Sequence, residues 1–210
     1  MSNSNDCTFY IIRHAPTDLN LKGILQGHVD LPLIDEGIMQ AKQWITDFKE
    51  ITFDAVFSSD LLRAKQTAEI IALEKQLAVK TTELLRERKF GHYEGKPYTL
   101  FEIELKELVE KFEKLSFEEK RKHRYHPTME NDEEITARFL TFLRETALAY
   151  PRKTVLIVSH AVMISSLLIH LGFISYEDNP TYSFKHNAYF QLMSDGVDFT
   201  IKEARGVIKK

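Results

Sequence analysis

The sequence has little cysteine, with the single residue Cys7 among 210. One thiol cannot form an internal disulfide, and its isolation excludes every zinc site that needs two thiolates. Glycine and proline are also few, at eight and six residues, which is typical of a globular protein and not of a disordered or fibrous one. At a rough rate of one domain per ~150 residues, we expect one domain over residues 1–210.

The sequence has no excess of basic residues. Lysine and arginine total 28 against 31 aspartates and glutamates, which gives a net charge of −3. A chain with this balance lacks the positive field that holds a nucleic acid backbone or an anionic membrane surface. We therefore expect neither nucleic acid nor membrane as a partner.

Long uninterrupted hydrophobic runs are also absent. The most apolar stretch, residues 155–173, approaches the ~20 residues that a membrane span needs, but serine and histidine side chains interrupt it. We interpret it as a buried strand that leads into a buried helix. The first six residues have neither the positive charge nor the apolar run of a secretory signal, so we expect a cytoplasmic protein.

Short apolar segments rich in β-forming residues alternate with segments of helical periodicity. The predicted strands are 8–12, 54–59, 78–82 and 154–158, followed by a hairpin of 189–193 and 197–201 that turns at Asp195-Gly196. The predicted helices are 38–48, capped by Asp35, and then 61–73, 132–150 and 161–171. This alternation favours an α/β fold with a mostly parallel sheet and helices on both faces.

A narrow apolar stripe begins after Tyr98, amid many glutamates and lysines. Its members are Phe101, Leu105, Leu108, Phe112 and Leu115. Such a stripe is typical of a helix that lies on a domain surface and not inside it. We predict that residues 92–131 form a helical cap insertion.

Polar clusters follow the predicted strands at the points where the strands end. They are Arg13-His14, Ser58 to Arg63, Arg86-Glu87 and Ser159-His160. Ligands of open α/β sheets bind beyond the carboxyl ends of the strands, so we expect these clusters to meet at one crevice. Two arginines and two histidines shielded from water repel one another unless an anion lies between them. A phosphoryl group is the matching anion.

These residue types suggest a mechanism. A lone histidine is more often a capping or core residue, but neutral His14 beside phosphate-binding arginines is a competent nucleophile that would form a phosphohistidine. Arg13, Arg63 and His160 would stabilise charge on the phosphoryl oxygens. Glu87 is the best acid nearby in sequence, and a carboxyl group among apolar walls can donate a proton to the leaving alkoxide.

Other chemistries lack their motifs. The sequence has no nucleotide-binding loop of the form Gly-x4-Gly-Lys-Ser/Thr, no Gly-x-Gly-x-x-Gly and no Gly-x-Ser-x-Gly elbow. His123 and His126 lie in a basic run without a local carboxylate or thiolate to complete a metal site. We expect no metal and no cofactor, and we interpret the basic run as a solvated face or a contact to the substrate's tail.

Four segments, in order, resemble the signature blocks of the histidine phosphatase superfamily, also called phosphoglycerate-mutase-like. Residues 13–20, Arg-His-Ala-Pro-Thr-Asp-Leu-Asn, are similar to the superfamily's Arg-His-Gly-x-Thr/Ser-x-x-Asn. Residues 58–68, 85–95 and 158–160 resemble the later blocks. The resemblance implies a three-layer α/β/α fold.

The resemblance also implies roles for individual residues. It places the nucleophile at His14 and the proton donor at Glu87. The positions that match the phosphate pocket are Arg13, Thr17, Asn20, Arg63 and His160. Gln26 and Gly27 continue the first block, and we include both among the expected substrate-binding residues.

Three positions depart from the superfamily pattern. Ala15 and Ala161 replace the glycines that usually follow the two histidines, and Ser165 stands where many members have an arginine. Alanine is small enough to fit beside a phosphate unless the backbone needs a positive φ. We expect the Ser165 departure to affect substrate affinity more than the chemical step.

Thr17 and the segment Phe-Gly-His-Tyr-Glu-Gly at residues 90–95 resemble the phosphatase branch of the superfamily. The implied function is a phosphomonoesterase whose partner is a small-molecule phosphomonoester. A cofactor-dependent phosphoglycerate mutase is the alternative enzyme, and a non-catalytic phosphoester-binding relative is the alternative outside enzymes. A binder needs neither His14 nor Glu87, so the presence of both favours an enzyme. A monomer and a homodimer both fit the sequence.

Overall fold

A computed structural model describes residues 5–177 and 184–207, and its centre is a six-stranded mixed sheet. The strands are β1 (Cys7–Arg13), β2 (Ala55–Ser59), β3 (Val79–Thr82), β4 (Thr154–Ser159), β5 (Phe184–Ser194) and β6 (Phe199–Val207). Their order across the sheet is β3-β2-β4-β1-β5-β6. The first four strands in this order run parallel, whereas β5 and β6 are antiparallel to their neighbours. The mostly parallel α/β sheet predicted from the sequence is confirmed.

Eight α-helices connect and cover the described strands. They are α1 (Asp18–Leu21), α2 (Asp35–Asp47), α3 (Leu62–Glu74), α4 (Tyr98–Glu104), α5 (Lys106–Glu113), α6 (Phe117–Lys122), α7 (Asp132–Ala149) and α8 (Ala161–His170). Two short 3₁₀ turns occur at Glu83–Leu85 and Gly91–Tyr93. No helix in the described part of the chain is long and apolar enough to cross a membrane.

The central strands are buried on both faces, which explains their nearly continuous apolar sequence. On one face, Phe9 and Ile11 of β1 pack with the apolar sides of α7 and α8. On the other face, Ile12 of β1 and Val158 of β4 pack against α2 and α3. Side chains alternate between these two clusters along each strand, so the sheet is the middle of three layers.

The register of the sheet brings the polar ends of the strands together. Arg13 of β1 lies opposite Ser159 of β4, and Ser58 of β2 lies opposite Val158. The backbone N–H of His14 extends the ladder by donating to the carbonyl of Ser159 at 2.9 Å. The carboxyl ends of the parallel strands β1, β2 and β4 therefore lie together at one edge of the sheet.

Two local expectations differ from the structure. The N-cap of α2 is Ile34, which makes no side-chain hydrogen bond, so the expectation that Asp35 caps this helix is wrong. Asp35 is instead the first helical residue, where its negative charge interacts favourably with the helix dipole.

The apolar stripe after Tyr98 is divided between the two helices α4 and α5 and does not form one helix, and its last member, Leu115, precedes α6. The chain bends at Leu105, between α4 and α5, where this buried leucine packs with Phe90, Tyr93 and Met129. Ser116 then starts α6, because its hydroxyl accepts from the backbone N–H of Glu119 in a capping box.

Candidate active site

A cavity of about 370 Å³ opens at the carboxyl edge of the sheet. Among the residues predicted for the site, the cavity is lined by Arg13, His14, Asn20, Gln26, Gly27, Arg63 and Glu87. Thr17 and His160 are fully buried beside it and do not line it. The tertiary structure thus brings side chains from β1, α3, the loop at residues 23–27 and the loop after β3 to one place.

His14 is held in one orientation at the floor of this cavity. Its side chain is buried, and Nδ1 lies 2.7 Å from the carbonyl oxygen of Ala15. A carbonyl only accepts, so Nδ1 carries the proton and Nε2 keeps a lone pair. Burial, followed by the charges of Arg63 and Arg13, lowers the pKa of His14 well below its usual value. The imidazole is therefore neutral at physiological pH, as a nucleophile requires.

Arg63 is almost completely buried and reaches His14 from the first turn of α3. Its Nε donates to His14 Nε2 at 3.3 Å, while its two terminal nitrogens donate to the carbonyls of Val29 and Gly27 at 2.9 and 2.8 Å. Burial lowers the pKa of Arg63 to about 10, so the guanidinium remains charged at neutral pH. A fixed cation thus lies next to the imidazole nitrogen that faces incoming phosphorus.

His160 lies directly after β4, with its ring centroid 5.1 Å from that of His14. Both ring nitrogens are buried, and neither has a hydrogen-bond partner within residues 5–177 and 184–207. Burial, then the charges of Arg63 and His14, lowers its pKa well below the usual value. A buried imidazole without partners is a ready hydrogen-bonding group for a ligand oxygen.

The carboxylate of Glu87 lies at the start of α8, in the cavity that the apolar residues Phe90 and Val162 also line. Oε1 accepts from the backbone N–H of Met163 at 3.0 Å, and Oε2 accepts from that of Val162 at 3.2 Å. A third backbone donor, the N–H of Arg88, contacts Oε1 at 2.9 Å. These contacts hold the carboxyl group at a helix N-terminus, where it lines the cavity.

Thr17 shapes the loop that carries two of the lining residues. It caps α1 together with Asn20, whose side chain accepts from the Thr17 backbone N–H at 3.1 Å. The Thr17 hydroxyl donates to the side-chain oxygen of Gln26 at 3.0 Å. Thr17 therefore positions Asn20 and Gln26 at the cavity and makes no contact with its interior.

Gly27 meets a conformational requirement that the sequence does not reveal. Its φ is +52°, and a Cβ at this position would collide with the carboxylate of Glu94. That carboxylate accepts from the backbone N–H groups of Phe90 and Gly91 at 2.9 and 3.3 Å. Gly27 thus lets the loop at residues 26–29 approach the segment after Glu87 closely.

Arg138 of α7 is a site residue that sequence reasoning missed. Its guanidinium donates to the backbone carbonyls of Leu84, Arg86 and Glu87 at 3.0, 2.5 and 2.9 Å. The Glu87 carbonyl is also 2.9 Å from Nε2 of His28. Because Arg138 is 51 residues from Glu87 in sequence and belongs to an ordinary amphipathic helix, no local signal points to this contact.

The three departures from the superfamily pattern are accommodated in the structure. Neither Ala15 nor Ala161 is among the described non-glycine residues with positive φ, so alanine fits both backbones. The N–H of Ala15 donates to the hydroxyl of Thr67 at 3.0 Å. Ser165 is buried, donates to the carbonyl of Ala161 at 2.8 Å and does not line the main cavity.

Arg86 has a partner other than a ligand. Its Nε and Nη2 donate to the two carboxylate oxygens of Asp60 at 2.9 and 2.5 Å. Asp60 follows β2, so this ion pair ties the loop that carries Glu87 to the neighbouring strand end. Arg86 therefore does not join Arg13 and Arg63 at the cavity.

His123 and His126 have separate surroundings. His126 Nδ1 lies 2.8 Å from the hydroxyl of Thr128, while the ring of His123 packs at 4.8 Å against that of Tyr125. Within the residues that the structure describes, no group of three or more histidine, cysteine, aspartate or glutamate side chains is arranged to hold a metal ion.

A family model described as the histidine phosphatase superfamily, branch 1, matches residues 9–203. The chain belongs to this superfamily. The resemblance inferred from the four sequence blocks is thereby confirmed, and the chain is a phosphatase of the histidine phosphatase type.

Individual relatives agree with this assignment. The chain is 34% identical over 166 residues to the uncharacterised phosphatase PhoE of Bacillus subtilis, covering 77% of this chain and 76% of PhoE. It is 33% identical over 171 residues to the putative phosphoserine phosphatase 2 of Hydrogenobacter thermophilus, covering 80% of each chain. The solved structure of YhfR from Bacillus stearothermophilus matches with a TM-score of 0.80 at 24% identity, covering 96% of this chain and 98% of YhfR. This structural match shows the same fold.

Proposed function

We propose that the protein hydrolyses a small phosphorylated metabolite through a covalent phosphohistidine on His14. The observation that carries this proposal is the orientation of His14, whose Nδ1–H is bonded to the Ala15 carbonyl so that Nε2 is unprotonated. The lowered pKa of His14 keeps this form populated at neutral pH. An unprotonated Nε2 next to a buried arginine is what attack on a phosphate monoester needs.

In the first step, His14 Nε2 attacks phosphorus and the bond from phosphorus to the ester oxygen breaks. Arg13 and Arg63 stabilise the charge on the non-bridging oxygens because they provide positive charge in a site shielded from water, and the neutral ring of His160, 5.1 Å from that of His14, provides a hydrogen bond. The leaving alkoxide takes a proton from the carboxyl group of Glu87, which lines the same cavity.

In the second step, water replaces the departed alcohol. The carboxylate of Glu87 accepts a proton from this water while the oxygen attacks the phosphohistidine. The bond from phosphorus to His14 breaks, inorganic phosphate leaves, and Nε2 regains its lone pair. The two steps together return every residue to its starting state.

The dimensions and lining of the cavity support a small substrate. A volume of about 370 Å³ lies within the usual range for metabolite-sized ligands. Beyond the polar floor, the walls include Leu25, Trp44, Phe90, Tyr98 and Val162, which suit an apolar portion of the substrate. Asn20 and Gln26 line the cavity as well and supply amide groups for the phosphate or its neighbouring atoms.

Residues 92–131 are the proposed cap over this cavity. Tyr98, the first residue of α4, lines the cavity, and an isolated bridge between Ile24 and Pro97 joins the segment to the loop at residues 23–27. Leu105 and Met129 anchor the segment by packing on Phe90 and Tyr93. Substrate selection by this segment would then depend on Tyr98, its residue that lines the cavity.

Metal independence is part of the proposal, since the arginines supply the charge that Mg²⁺ provides in many other phosphoryl-transfer enzymes. A cytoplasmic location, a lack of nucleic acid and membrane partners, and a monomeric or homodimeric state also stay predictions from the sequence.

A comparison of hydrolysis with isomerisation tests the proposed function. Small phosphomonoesters should release inorganic phosphate over many turnovers, and 3-phosphoglycerate with catalytic 2,3-bisphosphoglycerate should give little 2-phosphoglycerate. Rapid isomerisation with negligible phosphate release would favour a mutase instead. Tight binding of phosphoesters without either reaction would favour a non-catalytic binder, and Ala15→Gly and Ala161→Gly would then be the first reversions to test.

A further inference from the structure

A second cavity of about 150 Å³ lies between α8 and the segment that contains α5 and α6. Val162 lines both cavities, and the other lining residues of the two differ. Ser165 and Ser166 form part of the wall on the α8 side. The side chain of Ser165 is small, and its hydroxyl donates to the carbonyl of Ala161, so it leaves this space open. The second cavity therefore adjoins the candidate active site without being part of it.

Arg88 provides a buried cation to the second cavity. Its side chain is 13% exposed and forms an ion pair with Asp132 through Nη2. Its Nε is buried and has no hydrogen-bond partner among the residues that the structure describes. The guanidinium can thus donate to another group while it keeps its contact with Asp132.

Lys120 of α6 provides a second cation. The side chain is 9% exposed, and Nζ lies 5.5 and 5.6 Å from the ring centroids of Phe112 and Tyr176, which also line the cavity. Nζ of Lys120 forms an ion pair with Oε1 of Glu177 at 3.2 Å. Because the Glu177 side chain is 74% exposed, solvent weakens this ion pair. An ammonium group has three N–H donors, so Lys120 can contact a ligand as well.

Two further polar groups line the same cavity without partners. The hydroxyl of Tyr176 and Nε2 of His123 are buried and have no hydrogen bond within the described ranges. Buried polar groups are nearly always hydrogen-bonded, and unpaired ones call for an explanation. Together with Arg88 and Lys120, they line the cavity with polar groups that lack a full set of partners, while the carboxylate of Asp132, which also lines it, is paired with Arg88.

We propose that the second cavity is a binding site for a small oxyanion of the size of inorganic phosphate. An acceptor-rich, negatively charged occupant satisfies the donors of Arg88, Lys120 and Tyr176 at the same time. The volume corresponds to about five water molecules at ~30 Å³ each, which is enough for one tetrahedral oxyanion and too little for a nucleotide. The site is separate from the one in which His14 acts.

Isothermal titration calorimetry of the full chain with inorganic phosphate tests the proposal. The wild type should bind two phosphates, one in each cavity. Lys120→Met should bind one, whereas the matched control Lys122→Met, at an exposed position of the same helix, should still bind two. Tyr176→Phe should weaken the second site by about tenfold, the equivalent of one hydrogen bond.

A single phosphate bound by the wild type, or two bound by Lys120→Met, would overturn the proposal. If the variants fail to fold, a crystal structure of the wild type grown with arsenate tests the proposal instead. An anomalous arsenic peak between Arg88 and Lys120 would support the site, and a peak confined to the cavity of His14 would refute it.

Hydrolysis of phosphomonoesters is a separate readout, because Lys120→Met should keep this activity. A chain that binds two phosphates but hydrolyses none would contradict the proposed function and leave this inference standing.

Discussion

Arg63 donates a hydrogen bond from Nε to Nε2 of His14 across 3.3 Å. The arginine lies in the first turn of α3 and the histidine follows β1, so the contact joins these two elements at the cavity. It places a positive charge next to the lone pair that would attack phosphorus. A bound phosphoryl group would receive the same N–H, since its oxygens are stronger acceptors than a neutral imidazole.

His14→Ala should abolish turnover while the fold remains intact, because no other described imidazole nitrogen is presented to the main cavity in this way. The control His126→Ala changes a histidine outside that cavity and should keep full activity. Rapid quenching of the wild type without acid should trap a phosphate that is stable to alkali and labile to acid. Full activity of His14→Ala would exclude a phosphohistidine at this position.

Glu87→Gln should slow the hydrolysis of alkyl phosphates by about 10²- to 10⁴-fold, since their leaving alkoxide needs a proton. The amide oxygen can take the place of Oε1 and still accept from the N–H groups of Met163 and Arg88, whereas the hydrogen bond from Val162 is lost. The loss should be much smaller with p-nitrophenyl phosphate, whose leaving group hardly needs a proton. Equal losses on the two substrates would remove Glu87 from the role of acid.

Arg138→Met should lower kcat for alkyl phosphates on the order of 10- to 100-fold, because the carbonyls around Glu87 lose the donor that positions them. KM should change little, since Arg138 does not line the cavity. The effect should again be smaller with p-nitrophenyl phosphate. Arg144→Met, an exposed position of the same helix, is the matched control. A rise in KM without a fall in kcat would contradict a positioning role.

Exhaustive chelation should leave the rate of hydrolysis unchanged. The reason is that Arg13 and Arg63 carry the positive charge expected at the phosphoryl group, and arginine is charged at neutral pH. The measurement compares initial rates before and after treatment with a strong chelator. A loss that one divalent ion restores would mean that a metal acts in the reaction.

The free energy of unfolding should fall as the pH drops below 6.5. His160 titrates near 6.5 in the unfolded chain, whereas burial holds its pKa well below that value in the folded state. Below pH 6.5 the unfolded state therefore binds more protons than the folded state, and stability falls toward the folded pKa. The full contribution is present above pH 6.5.

Urea unfolding at several pH values between 5 and 7.5 measures this effect. His160→Gln removes one such group, so the slope of the unfolding free energy against pH should decrease by up to about 1.4 kcal/mol per pH unit. An unchanged slope would show that the pKa of His160 is the same in the folded and the unfolded protein.

Much of the fold follows from local features of the sequence. The apolar runs of β1, β2 and β4 are short, rich in β-branched residues and followed at once by polar side chains, which predicts parallel strands with a site at their carboxyl ends. The local sequence pattern gave a wrong prediction where tertiary packing and helix caps outweighed it. The stripe after Tyr98 has helical spacing, but packing at Leu105 divides it between two helices, and the cap at Ser116 starts a further helix after its last member, Leu115.

The residues of the candidate site were predictable as types, and their arrangement was not. The sequence determined that His14, Arg63, Glu87 and His160 follow strands or begin helices, and therefore that they lie near one edge of the sheet. Only the tertiary structure placed the Glu87 carboxylate on the first backbone N–H groups of α8, 76 residues from Glu87 at Met163. It also assigned Arg138 to the loop of Glu87 and Arg86 to Asp60. Such contacts depend on how helices pack across the sheet, and a pattern of neighbouring residues contains no information about partners so distant in the chain.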